Sequence, residues 1–464
     1  MKSVLCSLLA VAFLIGCGGA RTEKVDIQPG EAWLANYIGE QKIGYSVFLT
    51  ERFEDGYRFD NLMRMEIAMA DKVQKLKTHS VVTTEPDLTL RTFSFRIESQ
   101  DRTMAATGGA QGNELIIKVE GDRPRVLKLE GPVYPMSALG LLAVSREPDS
   151  LYKFNVFDPA MMAITLVELT PVGWEKLVID GVEYRALKTR SKLAQFEITS
   201  WVDEHGLTIR EESPPDMTSI RTTPDKAVAG QTGGSLDLLK MFRVQVDTLV
   251  SDPGAVRRMK VELSGLAPND YELEYGYQRV LGTDPLVVEV SVPETPDAPM
   301  ELPIKGMDEF LGPTVAIQCD NPALAEQARG VLGEPADAVE ASRKLTSWVF
   351  TALDKEPTAS FPTALDVLKH MKGDCNEHAV FFAGLARAAG IPTKVSVGLV
   401  YMNGAFYYHA WNEVFLGEWV PVDPTFGEFP AGALRLKLSE GGLEQQTRIL
   451  GVVGRLGMKI LELE

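Results

Sequence analysis

One short stretch limits what this chain can fold into more than any other. It is Gly373-Asp374-Cys375-Asn376-Glu377-His378, followed by His409-Ala410-Trp411 and then Val422-Asp423-Pro424. Asp374 is a strong helix N-cap, and Glu377 falls three residues later, which together make a capping box. Val380, Phe381, Leu385 and Ala388 recur at helical spacing. Gly390 is placed to end the helix, and Pro392 prevents its continuation. The pattern predicts a helix whose first residue is Cys375. A helix N-terminus favours an anion, and thiolates attack where thiols do not. The Asp374 carboxylate opposes that effect, so a base is needed nearby.

His409 and Asp423 can supply it. Residues Tyr407 to Phe415 read as a strand, and so do Trp419 to Asp423, with Gly417 and Glu418 in the turn between them. If the loop is Leu416-Gly417-Glu418, Phe415 faces Trp419 and Trp411 faces Asp423. Asp423 then lies diagonal to His409 on one face, within reach of it. A two-residue loop would reverse the parity and send Asp423 to the other face. The first register is expected. Asp423 would then orient the ring and stabilise imidazolium, as the third member of such triads does.

In this order the segments resemble the transglutaminase-like superfamily, whose core is papain-like. The likeness is carried by Gly373-Asp374-Cys375, by Ala386 to Thr393, by His409 to Val414 and by Trp419 to Thr425, within residues 340 to 428. The resemblance implies Cys375 as nucleophile, His409 as general base and Asp423 as the orienting carboxylate. The family also implies an aromatic residue that assists the oxyanion from a loop before the nucleophile. Phe361 and Trp348 stand nearest to that place, and the backbone N–H of Cys375 is a further donor. Trp411 is expected to pack beside the site. Blander readings stay open: Cys375 as a small buried hydrophobe, Asp423 as a turn residue before Pro424, or zinc held by Cys375, His378 and His409.

The address of the chain is read at its other end. Lys2 precedes an apolar run from Val4 to Ile15, too short to span a bilayer and typical of a secretion signal. It closes on Leu14-Ile15-Gly16-Cys17, which resembles a bacterial lipobox. That resemblance implies cleavage before Cys17, lipidation of Cys17, and a protein hung from a membrane in the cell envelope. Of the four cysteines, the resemblance implies that Cys6 leaves with the signal and that Cys17 would carry lipid. Cys319 is expected to stay unbridged and mostly buried, because a bridge to Cys375 would abolish its chemistry. The formal net charge of −17 argues against nucleic acid as a partner, since phosphate binding needs clustered Lys and Arg. No metal or organic cofactor is required by these residues.

The chain between divides by pattern into an α+β protein. Residues 1–16 are the signal and 17–30 a tether. Residues 31–212 alternate apolar and polar with turn signals between, as at Met63, Met65, Ile67 and Met69, and at Phe93, Phe95 and Ile97. They read as antiparallel sheet, with Asp180-Gly181 as a hairpin turn and short helices at Met136 to Val144 and Pro159 to Met162. The cluster of Pro, Thr and Gly in 213–235 reads as a linker. Residues 236–305 form a small β-rich unit that includes Phe242 to Val246, 306–430 the transglutaminase-like domain, and 431–464 strands that pack back, with a strand pair over Ile449 to Leu461. Asn321-Pro322 marks a helix start.

These readings lead to acyl chemistry through a thioester at a protein or peptide amide. Water as acceptor gives hydrolysis or deamidation, and an amine gives a cross-link. The residues do not decide between these; the resemblance to the superfamily implies a peptidase-like outcome. The alternatives are a lipid-anchored scaffold that has lost activity, and a peptidoglycan hydrolase.

Overall fold

A computed structural model gives the fold. It describes residues 30–69, 72–99, 102–193, 196–230, 243–266, 271–295, 299–334, 337–356, 362–441, 449 and 452–464. The protein is mostly β, with a large N-terminal sheet and a separate C-terminal unit that mixes helices with sheet.

The N-terminal unit is built on one 15-stranded sheet. Its strands are β1 (Gly30–Ile38), β2 (Gln41–Phe53), β3 (Gly56–Met69), β4 (Lys72–Thr84), β5 (Leu90–Ser99), β6 (Arg102–Gln111), β7 (Glu114–Val119), β8 (Arg125–Lys128), β9 (Val133–Pro135), β10 (Tyr152–Asp158), β11 (Ala163–Ile179), β12 (Val182–Leu193), β13 (Phe196–Val202), β14 (Thr208–Ser213) and β15 (Met217–Thr222). β1 pairs with both β2 and β15, so the two ends of this region meet at the middle of the sheet. β8 and β9 are the edges. The sheet rolls until β9 lies against β4 and β5, and Phe93 meets Phe157 with ring centroids 4.7 Å apart. Alternate residues face inward as the pattern requires: Phe59, Met63, Met65 and Ile67 on β3, and Phe93, Phe95 and Ile97 on β5, are all buried. Asp180 and Gly181 both take positive φ (52° and 79°), the conformation that a two-residue hairpin between β11 and β12 demands.

Two expectations for this unit are corrected. Residues 159–162 form a turn rather than a helix, with Met162 in the left-handed region. The stretch from 213 to 230 is not a linker. Pro214, Pro215 and Asp216 turn the chain between β14 and β15, and β15 completes the sheet beside β1. Pro224 then opens the short helix α2 (Pro224–Val228), capped by Thr223; the earlier helix α1 is Leu139–Val144. Pro and Gly punctuate turns inside a sheet as readily as they mark linkers, and local chemistry does not separate the two.

The C-terminal unit contains two larger sheets and four helices among its described residues. Its strands are β16 (Val244–Gln245), β17 (Arg258–Ser264), β18 (Gln278–Thr283), β19 (Leu286–Ser291), β20 (Asp354–Lys355), β21 (Lys372–Gly373), β22 (Thr393–Met402), β23 (Ala405–Phe415), β24 (Trp419–Val422), β25 (Arg435–Glu440) and β26 (Gly457–Leu463). Its helices are α3 (Pro322–Leu332), α4 (Ala338–Ala352), α5 (Ala364–His370) and α6 (Cys375–Ala388). Helices α3, α4 and α5 surround α6, and α6 packs on β22 and β23. Its burial is nearly complete, from Cys375 through Ala386.

One sheet runs β16-β23-β22-β25, with β24 on the same strand β23. The other runs β18-β19-β17-β26. The segment at Val244 therefore belongs to the α6 sheet and not to the small β unit, because its backbone pairs with Ala405 and Phe406. The tail is divided in the same way. β25 joins β22, whereas β26 joins β17. In place of a strand pair over Ile449 to Leu461, the described residues show a turn at 452–455 and then the single strand β26.

Candidate active site

Asp374 caps α6 and accepts from the N–H of Asn376 at 3.1 Å. Glu377 reaches back to the N–H of Asp374 at 3.1 Å, so the capping box is formed in both directions. Gly373 makes this possible. It sits at φ +152°, and a Cβ there would lie 2.3 Å from Cβ of Glu377. Asp374 is fully buried, and burial, followed by the nearby Glu377 charge, pushes its carboxyl well above the ordinary range. A carboxyl that resists ionisation opposes a neighbouring thiolate less than the sequence alone implied.

The loop between β23 and β24 has the expected register: Phe415 pairs with Trp419, and Asn412 with Val422. Asp423 therefore follows on the face of His409, and His409 Nε2 donates to Asp423 Oδ2 at 2.7 Å. Asp423 Oδ1 accepts from the backbone N–H groups of Thr425 (2.9 Å) and Phe426 (3.2 Å). A residue that the sequence reading places on a strand, with no role at the site, completes the set. Arg435, at the start of β25, gives Nε and Nη2 to Asp423 Oδ2 at 3.0 and 2.7 Å. Its Nη1 meets Glu428 Oε2 at 2.9 Å.

Burial alone would raise the pKa of Asp423, but the charges of His409 and Arg435 outweigh it and hold the carboxylate well below its usual range. For His409 burial prevails, and the net shift is downward despite Asp423. With Nε2 donating to Asp423, the lone pair of the ring is on Nδ1. That atom is buried and has no hydrogen-bond partner among the described residues. The ring lies between Trp411, stacked at 6.2 Å, and Phe426 at 5.2 Å.

Cys375 enters from the helix side. Asn412 of β23 donates to the carbonyl of Ala379, one turn beyond Cys375, at 3.0 Å, which fixes the start of α6 across the strand that carries His409. In the same first turn, His378 donates Nδ1–H to the Asp374 carbonyl at 2.6 Å. Burial lowers the His378 pKa to about 4, outweighing the hydrogen bond to the Asp374 carbonyl, which favours the charged ring. No group of three potential metal-ligating side chains occurs among the described residues. Cys375, His409 and Asp423 are each 0% exposed.

The other expected residues fall elsewhere. Trp348 packs on Phe381, with centroids 6.0 Å apart, nearly two turns along α6 from Cys375. This contact sets Trp348 against the middle of α6. Phe361 and Cys17 lie outside the described residues. Cys319 is buried and unbridged, and its thiol donates to the Leu311 carbonyl at 3.3 Å.

Residues 325–424, from α3 to the residue after Asp423, match the family model of the transglutaminase-like superfamily. This part of the chain is a transglutaminase-like domain. The match includes Cys375, His409 and Asp423 and stops short of Arg435. No curated protein matches the chain.

Among solved structures, a candidate cysteine protease from Cytophaga hutchinsonii is 15% identical, with a TM-score of 0.31, covering 45% of this chain and 87% of its own. A β-barrel-like protein of a family of unknown function from Brucella abortus is 11% identical, with a TM-score of 0.36, covering 43% of this chain and 98% of its own. A candidate protease from Parabacteroides distasonis is 11% identical, with a TM-score of 0.23, covering 76% of this chain and 67% of its own.

Proposed function

We propose that the transglutaminase-like domain is a papain-like cysteine acyl-transfer enzyme acting on protein or peptide amides, with hydrolysis as the favoured outcome. One observation carries this reading: His409 is bonded to Asp423 at 2.7 Å with its other nitrogen unpartnered, on the strand crossed by the helix that begins at Cys375. Cys375 Sγ attacks the amide carbonyl carbon, and its proton passes to Nδ1 of His409. The carbonyl electron pair moves to oxygen, where the Cys375 N–H at the helix start is a donor. The pair then returns, the C–N bond breaks, and Nδ1 gives the proton to the leaving nitrogen. Water or an amine resolves the thioester with His409 again as base. Asp423 keeps the ring in the required tautomer.

We place the enzyme at the cell envelope, anchored through Cys17, on the strength of the Leu14-Ile15-Gly16-Cys17 motif. Incorporation of labelled palmitate that survives Cys17→Ala would rule out that anchor. A second reading, an inactive scaffold, draws support from the complete burial of all three side chains.

The test uses the full chain in detergent, a glutamine-rich protein, a fluorescent primary amine and a peptidoglycan digest. Peptide-bond cleavage, ammonia release and amine incorporation are followed separately. Turnover on protein that is lost in Cys375→Ala and His409→Ala supports the reading. Turnover that persists in Cys375→Ala refutes it, and turnover of peptidoglycan alone moves the substrate class. If nothing turns over and iodoacetamide labels Cys375 no faster than Cys319, the scaffold reading stands.

A further inference from the structure

A Cys–His couple has two neutral-overall resting forms, thiol with imidazole or thiolate with imidazolium. The charges around the ring decide between them. The ionisable groups around this ring come from three elements. Asp423 follows β24, Arg435 stands on β25 with Glu428 behind it, and Asp374, Cys375 and His378 lie at the start of α6. Asp423 by itself would favour imidazolium. Its Oδ2, however, is shared: it accepts from His409 at 2.7 Å and from two nitrogens of Arg435 at 3.0 and 2.7 Å. Arg435 is 4% exposed, and Asp423 and His409 are 0% exposed, so solvent hardly screens these charges. Glu428, the other partner of Arg435, has a side chain that is 37% exposed and offsets the guanidinium only in part.

We propose that Arg435 is a positioning residue that cancels the Asp423 charge and keeps the resting Cys375–His409 couple as a neutral thiol and a neutral imidazole. The proposal rests on the Cys–His pairing put forward above. Asp423 is then reserved for holding the ring, and proton transfer to Nδ1 accompanies attack instead of preceding it. The downward net shift of His409, to which burial contributes first and Arg435 adds, agrees with this. The family match ends at residue 424, so Arg435 is supplied by chain beyond it.

The test needs no substrate. The full chain in detergent is treated with iodoacetamide from pH 5 to 10, and carbamidomethylation of Cys375 is timed by mass spectrometry. Ring ¹⁵N spectra of the five histidines are recorded in parallel. The native protein is expected to show one rise in reactivity, with a midpoint at or above the ordinary thiol value of about 8.5. At pH 7, His409 is expected to carry a single ring proton. Arg435→Gln removes one charge near the ring and is expected to raise reactivity at pH 6 roughly 10- to 100-fold, with His409 becoming doubly protonated. Arg435→Lys restores the native profile. Glu428→Gln, which leaves Arg435 in place, moves the profile weakly in the opposite direction, a sign change that lost packing would not produce.

Native Cys375 already at its reactivity plateau at pH 6 would overturn the proposal. So would Arg435→Gln and Glu428→Gln profiles that shift together. Failure of the amide assays with this titration intact would count against the enzymatic reading and leave the charge assignment standing.

Discussion

Lys437→Met should cost the C-terminal unit about 3 kcal/mol, and the structure gives the reasons for that magnitude. Lys437 and Glu413 are 0% and 1% exposed. Their ion pair spans 2.5 Å between β25 and β23. Glu413 Oε1 also accepts from Ser396 Oγ and Tyr277 OH, each at 2.7 Å. Lys437 Nζ further pairs with Glu440 and sits 3.7 Å from the centre of the Tyr275 ring. Removing one partner of a buried pair costs about 3–5 kcal/mol, mostly because the remaining charge is left uncompensated. Here Glu413 keeps two hydroxyl donors, which places the cost near the lower bound. Glu440 keeps Lys394 at 2.8 Å and adds little. Methionine retains the apolar stem, so no large cavity opens.

The double variant Lys437→Met/Glu413→Gln removes both charges and should recover to within roughly 1 kcal/mol of native. Because the chain has two units, unfolding is best followed locally, by hydrogen exchange of β22, β23 and β25 amides in urea. A single variant within about 1 kcal/mol of native, or a double variant as unstable as the single, would refute the reasoning. The position matters for the site as well. Lys437 is two residues from Arg435, and Glu413 four from His409, on the same faces of their strands. Gln278 also pairs with the backbone N–H and carbonyl of Lys437, at 2.8 and 3.0 Å. This polar cluster therefore fixes the register that delivers Arg435 to Asp423.

Three further outcomes are expected. Asp423→Asn should lose about 3–5 kcal/mol at neutral pH, since Arg435 is left facing a neutral amide; because the native carboxylate has a depressed pKa, its stabilisation is complete above the unfolded value of about 3.9 and fades as pH falls below it, so the deficit measured by urea midpoints should shrink toward pH 3. Asp158, buried in the N-terminal sheet with its pKa pushed up to about 7, acts with the opposite sign: native stability should fall by a few kcal/mol as pH rises from about 4 to 7 and then level off, whereas thermal melts of Asp158→Asn should lack that slope. Gly373→Ala should break the capping box at a cost of about 1–2 kcal/mol, and displacement of Cys375 should lower amide turnover more than it lowers the unfolding midpoint.

Part of this arrangement is written locally in the chain and part is not. The start of α6 was legible because a capping box is a four-residue signal and because Gly390 and Pro392 close the helix within the same stretch. The contact between His409 and Asp423 was legible because a hairpin converts loop length into facing, and a loop of Leu416, Gly417 and Glu418 permits only one parity. Arg435 was not, and the cause is physical. Arg435-Leu436-Lys437-Leu438 alternates charge with apolar residues, the pattern of a strand with one face in water. In the fold both faces are buried, because β25 joins β22 with its charged side toward Asp423 and Glu413. Only a pairing between strands more than thirty residues apart reveals that. Gly398 marks it faintly. It pairs with His409 on one side, and on the other a Cβ would meet the Leu436 carbonyl at 1.9 Å, so a glycine inside an apolar strand signals close backbone approach. The same limit explains the stretch from 213 to 230, where proline and glycine specify turns but not whether a sheet lies on both sides of them. Local signals thus fixed where each reactive group begins, while the charge that sets their protonation state arrives from a strand whose destination is decided by long-range pairing.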